Sequence, residues 1–176
     1  MAEVPRELER FDVRLTGWLA RHGLTFLRVS LALVFLWFGV LKFFPGASPA
    51  ETLAARTIER LSGGLLGPGP ALGVLAVWES LIGLGLLFGV FQRTVLLLLA
   101  VQMLGTLTPL VLFPSEVFTI VPLAPTLEGQ YIIKNAVLIS AAMVLGATVR
   151  GGGLVAHPEA IEVAGQLEDE EAADVR

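Results

Sequence analysis

Apolar positions run almost unbroken from Leu24 to Phe44, LTFLRVSLALVFLWFGVLKFF, with only Arg28 and Lys42 charged. At about 1.5 Å per residue this run is about 31 Å long as a helix, close to the roughly 30 Å core of a bilayer. It predicts a transmembrane helix. Three further apolar runs predict spans at about 71–90, 94–113 and 127–149. Gln92 and Arg93 form a tight link, which makes the second and third spans antiparallel neighbours.

The pattern changes outside the spans. Val4, Leu8, Phe11, Leu15, Trp18 and His22 recur at four-then-three spacing, and Arg6, Arg10, Arg14 and Arg21 fall largely elsewhere. This predicts an amphipathic helix over residues 1–23, lying in the membrane interface. After Phe44, Pro45, Gly46 and Pro49 stop the first span. Residues 50–62 are again amphipathic, with Leu53, Ile58 and Leu61 as apolar contacts, and a glycine–proline cluster ends them at Gly63 to Pro70. They predict a short interfacial helix over one mouth of the bundle. Pro114, Pro122 and Pro125 prevent a long helix in 114–130, so this loop is expected to pack on the bundle, with Thr126 capping the last span. Residues 151–176 end in LEDEEAADVR and read as an acidic, disordered cytoplasmic tail. The expected fold is all-α: an integral membrane four-helix bundle over residues 24–150, with two interfacial helices.

Composition supports the membrane reading. The 176 residues are 55% hydrophobic and 16% charged, against roughly 45–50% and about 25% in soluble domains. A net charge of −4 gives no basic excess and argues against a nucleic-acid partner. Cysteine is absent, which removes disulfides, thiolate nucleophiles, cysteine-ligated zinc and iron–sulfur clusters from this chain. His22 and His157 flank the spans, so haem ligation inside the bundle is not expected. Eight basic residues flank the spans on one side and four on the other, which puts both termini in the cytoplasm.

Charges inside the spans are the candidates for chemistry, because each is costly there unless paired or functional. Glu79 lies about 12 Å along its span from Ala71, and a carboxylate is too short to reach the surface from that depth. Lys134 has a comparable depth, while Lys42 sits nearer its surface. The expected pair is therefore Glu79–Lys134, with Lys42 flanking it. Asn135, Tyr131, Gln102 and Thr108 offer neutral hydrogen bonds nearby; Trp37, Phe38 and Trp78 offer flat apolar walls. Such a pocket suits a quinone or similar lipophilic ring. The alternative is an ion pair that only fixes helix register. On the first span Arg28, Phe35 and Lys42 are spaced by seven and share a stripe. The sequence carries no P-loop, metal-ligand motif or nucleophile–base pair, so catalytic residues stay unassigned and no metal is expected.

At these same residues the chain resembles the DoxX-like superfamily, and within it the YkgB branch. The resemblance rests on LRVSLALVFLWFGVLKF, on VWESLIG with Glu79, on LTPLVLF, and on IIKNAVL with Lys134. The branch commonly shows lysine–aspartate where this chain has Lys134–Asn135, and its usual acidic residue after the first span has only Glu51 as a counterpart. The resemblance implies a four-helix protein of the bacterial inner membrane, associated with oxidant defence or with quinone-coupled oxidation. Any enzymatic role would be that of a quinone-linked oxidoreductase subunit, with no covalently bound cofactor. Its partners would be the bilayer, a redox complex or further copies of the chain. A non-catalytic scaffold and a small transporter are the alternatives.

Overall fold

The computed structural model describes residues 6–48 and 51–152. The elements run α1 (Arg6–Leu41), α2 (Glu51–Leu61), α3 (Pro68–Phe88), α4 (Gln92–Leu107), α5 (Pro109–Leu112), α6 (Pro114–Val117), β1 (Phe118–Ile120), β2 (Ala124–Pro125) and α7 (Leu127–Thr148). Four helical stretches are long and apolar enough to cross a membrane: Phe11–Leu41, Pro68–Phe88, Gln92–Leu112 and Leu127–Thr148. The all-α membrane bundle is thus as expected, with one two-residue-wide antiparallel hairpin contact between β1 and β2. Except for Gly151 and Gly152, the acidic tail lies outside the described residues.

Two boundaries differ from the sequence reading. Residues 6–23 and the first span share one helix, because Gly23 alone does not interrupt the hydrogen-bond ladder of α1. At the other end α1 stops at Leu41, and Lys42 to Gly46 form turns rather than the last helical turn.

The described residues fall into two compact units. In the first, Trp18 stacks on His22 with ring centroids 4.9 Å apart, and His22 Nδ1 lies 3.0 Å from the Trp18 carbonyl oxygen. The second unit, Leu27–Val149, holds the rest of the bundle. Its main core joins Leu31, Ala32 and Phe35 of α1 to Ile82 and Leu86 of α3, Leu99 and Met103 of α4, and Leu145 of α7. A smaller cluster of Leu53, Val117 and Ile132 ties α2 to α6 and α7. The outward faces are apolar too: Leu81, Leu97, Leu104, Val137 and Met143 are all exposed. A helix that is apolar all round needs an apolar solvent, and here that solvent is lipid.

Glycines set how closely the helices approach. A Cβ on Gly39 of α1 would sit 2.8 Å from the Ser80 backbone nitrogen, and one on Gly83 of α3 would sit 2.6 Å from that of Leu36. These two positions make a close α1–α3 seam of the kind small residues allow in membranes. The Gly85–Gly89 pair, legible as a GxxxG motif, does two separate jobs. Gly85 receives the Val95 side chain from α4; Gly89 caps α3 in the left-handed conformation (φ 70°) and lies under the Arg28 guanidinium. Arg28 thereby places its charge at the negative end of the α3 dipole. The packing loop expected at 114–130 is present, with Val117 fully buried. Thr126 caps α7 by accepting from the Gly129 N–H at 3.2 Å.

The seam gives a paired test. Gly83→Ala should destabilise the bundle by about 1–3 kcal/mol through overpacking against Leu36. Gly146→Ala, with nothing within 4 Å of its would-be Cβ, should be neutral or slightly stabilising by up to about 1 kcal/mol. Equilibrium unfolding in mixed detergent micelles separates the two.

Candidate functional site

Close packing at Gly39 brings the end of α1 against Glu79, since a Cβ at Gly39 would lie 3.0 Å from the Glu79 Cβ. Three residues on, Lys42 leaves the helix and turns inward. Its Nζ donates to Glu79 Oε2 at 2.6 Å and to the Phe38 carbonyl at 3.3 Å, one of the open acceptors at the C-terminal end of α1. From α4, Gln102 Nε2 donates to Glu79 Oε1 at 2.9 Å. Both carboxylate oxygens are therefore engaged, each by a different helix. The Lys42 and Glu79 side chains are each only 10% exposed.

This cluster lines a cavity of about 490 Å³ within the second unit. Phe35 and Phe38 of α1, Leu75 and Trp78 of α3, Met103 of α4 and Leu138 of α7 give it apolar walls. Trp78 is held in place by its indole N–H, which donates to the Leu98 carbonyl at 3.2 Å. Asn135 and Tyr131 face the cavity from α7. The helix α2 closes over it with Leu53, Ala54, Thr57, Ile58 and Leu61, so the amphipathic segment 50–62 does cover a mouth.

The structure thus gathers Glu79, Lys42, Gln102, Asn135, Tyr131 and Trp78 around one space. It does not bring in Lys134, Thr108 or Trp37. The expected Glu79–Lys134 pair is replaced by Glu79–Lys42. Along α7 the cavity-lining positions are Glu128, Tyr131, Ile132, Asn135 and Leu138, one helical face. Lys134 stands about 100° round the helix from Asn135, is exposed, and lies 5.5 Å from the centroid of the Tyr131 ring. Matching the two groups by depth ignored this rotation. Trp37 is likewise one residue off the Phe38 face and is 68% exposed. Thr108 donates back to the Gly105 carbonyl at 2.7 Å, while Thr106, four residues after Gln102 and on its face, lines the cavity instead. Thr57 and Thr106 were missed, although the i, i+4 spacings from Leu53 and Gln102 carried the signal. No group of three or more potential metal-ligating side chains occurs among the described residues.

The sequence model of the DoxX family matches residues 23–113, just over half of the chain. The chain belongs to the DoxX family. The match takes in Lys42, Glu79 and Gln102, and so the whole hydrogen-bonded cluster of this DoxX protein. It ends before α7, which supplies Asn135 and Tyr131. Neither a curated protein nor a solved structure matches the DoxX chain.

The pairing can be tested directly. Lys42→Met or Glu79→Gln alone should cost about 3–5 kcal/mol of stability, because each leaves a buried polar partner uncompensated. Lys42→Met combined with Glu79→Met should recover much of the loss. Lys134→Met should leave the unfolding midpoint where it is, whereas a Glu79–Lys134 pair would make it as damaging as Lys42→Met.

Proposed function

We propose that this DoxX protein binds a lipophilic ring molecule of the quinone class in the cavity beside Glu79. It would do so in the bacterial inner membrane, with both termini cytoplasmic, in redox or oxidant-defence physiology, alone or as the membrane subunit of a redox complex. The observation that carries this reading is a polar cluster on the wall of an otherwise apolar cavity. A pair serving register alone needs no space beside it. Here about 490 Å³ adjoins the pair, within the range of roughly 300–1,000 Å³ typical of small-molecule sites.

The wall chemistry suits a flat ring carrying oxygen acceptors. An ammonium has three N–H donors; Lys42 gives one to Glu79 and one to Phe38, which leaves one to meet a ligand oxygen. The Asn135 amide and the Tyr131 hydroxyl offer donors from α7. Phe35, Phe38 and Trp78 supply faces for a ring. The chain's placement in the YkgB branch, suggested by the ordered set of LRVSLALVFLWFGVLKF, VWESLIG, LTPLVLF and IIKNAVL although Asn135 departs from the branch pattern, forms part of the same proposal.

Two substitutions separate binding from folding. Gly105 lines the cavity and has nothing within 4 Å of its would-be Cβ. Gly105→Leu should fill the space and abolish retention of a short-chain quinone analogue while leaving the unfolding midpoint unchanged. Asn135→Leu should weaken retention about tenfold, the loss of one buried hydrogen bond to the ligand. Mass analysis of ligand co-purified in mild detergent reads both. Undiminished retention in Gly105→Leu would end the cavity reading.

A further inference from the structure

A second, polar cleft adjoins the cavity. Its lining includes Glu51, Thr52, Glu116 and Glu128, and it shares Ser48, Leu53 and Glu128 with the cavity. Of these shared residues Leu53 is apolar and buried: it is 8% exposed and packs with Val117 and Ile132. Leu53 belongs to α2. On the far side of Leu53, Thr57 faces the cavity and is 5% exposed.

The way α2 is attached suits movement. Glycines in the left-handed region stand on both sides of it: Gly46 (φ 77°) before, Gly63 (φ 65°) and Gly64 (φ 85°) after. The Cβ positions of all three are open, so close packing does not fix these bends; at the first of them the Gly46 N–H donates to Glu51 Oε2 at 2.9 Å. The inner face of α2 packs on α3 and, through Leu53, on Val117 and Ile132; across its outer face it is fastened by an ion pair. Arg56 Nη1 donates to Glu116 Oε1 at 2.7 Å and Oε2 at 2.9 Å, and the guanidinium carbon lies 4.7 Å from the centroid of the Phe113 ring. Both partners are more than 40% exposed. An exposed ion pair is a weak tie, and water and salt compete with it.

We propose that the acidic cleft is the water-side mouth of the cavity, that α2 is its gate, with Leu53 as the plug and Arg56–Glu116 as the latch, and that the mouth passes water and small cations. The charge sign follows from the lining. Three carboxylates line the cleft, and Arg56, which reaches one of them, is committed to Glu116. Such a mouth concentrates cations and repels anions. The inference stands apart from the identity of any molecule in the cavity, because it concerns access by water.

The chain's lack of cysteine makes the test clean. Thr57→Cys places a single thiol behind the plug. In reconstituted vesicles its reaction with a cationic, membrane-impermeant methanethiosulfonate should be slow but measurable. Adding Glu116→Gln should speed it about two- to fivefold, the factor by which losing an exposed ion pair raises an open population. Arg56→Gln should speed it further, since it removes the aromatic contact as well. Leu53→Ala should speed it most. The anionic sulfonate reagent should react more slowly than the cationic one in every background. Ala54→Cys, on the same cavity-lining helix, reads the same route if Thr57→Cys does not fold. Equal rates with latch intact and broken, no labelling in any background, or a faster anionic reagent would each overturn the gate. Loss of quinone retention with normal labelling would overturn only the proposed ligand.

Discussion

A carboxylate in the middle of a membrane bundle must find its partners within the protein, and Glu79 finds them through helix spacing. The seam at Gly39 and Gly83 allows α1 and α3 to approach more closely than side chains would permit. That approach brings the end of α1 to the carboxylate, and Lys42 completes the contact by leaving the helix and folding inward. With Gln102 on the other oxygen, three helices converge on one side chain. The cavity exists where this convergence leaves room between the α1–α3–α4 wall and α7.

The spans were legible because lipid imposes a simple rule: about twenty apolar residues per crossing. The short covering helix was legible too, since amphipathy with glycine and proline at both ends leaves few other readings for residues 50–62. The cluster was only half legible. Glu79 stood out by its depth, and Gln102 and Lys42 were in the right set. The partner assignment failed because depth along an axis is one coordinate of two. Lys134 has the depth but the wrong side of α7; Lys42 has a long flexible chain that cancels its shallower origin. The angular coordinate was available in the face shared by Tyr131, Asn135 and Leu138. The inward turn of Lys42 was not, because it depends on where α1 ends, and the apolar run gives no sign of a stop at Leu41.

The two charges on the first span illustrate the same economy at opposite ends. Arg28 lies against the C-terminal cap of α3 at Gly89, and Lys42 engages the carboxylate midway along α3 as well as the last turn of its own helix. Both cations are thereby placed where open carbonyls or a carboxylate offset the loss of water. Their separation of fourteen residues, close to four helical turns, keeps them on one side of α1, towards α3.

Glu79 also links occupancy to architecture. Its oxygens are held by a residue at the end of α1 and a residue in the middle of α4, so a molecule that competes for either donor acts on the distance between helices as well as on its own binding. By linkage, a molecule in the cavity would favour whichever helix spacing binds it better, and only by the ratio of its affinities for the two.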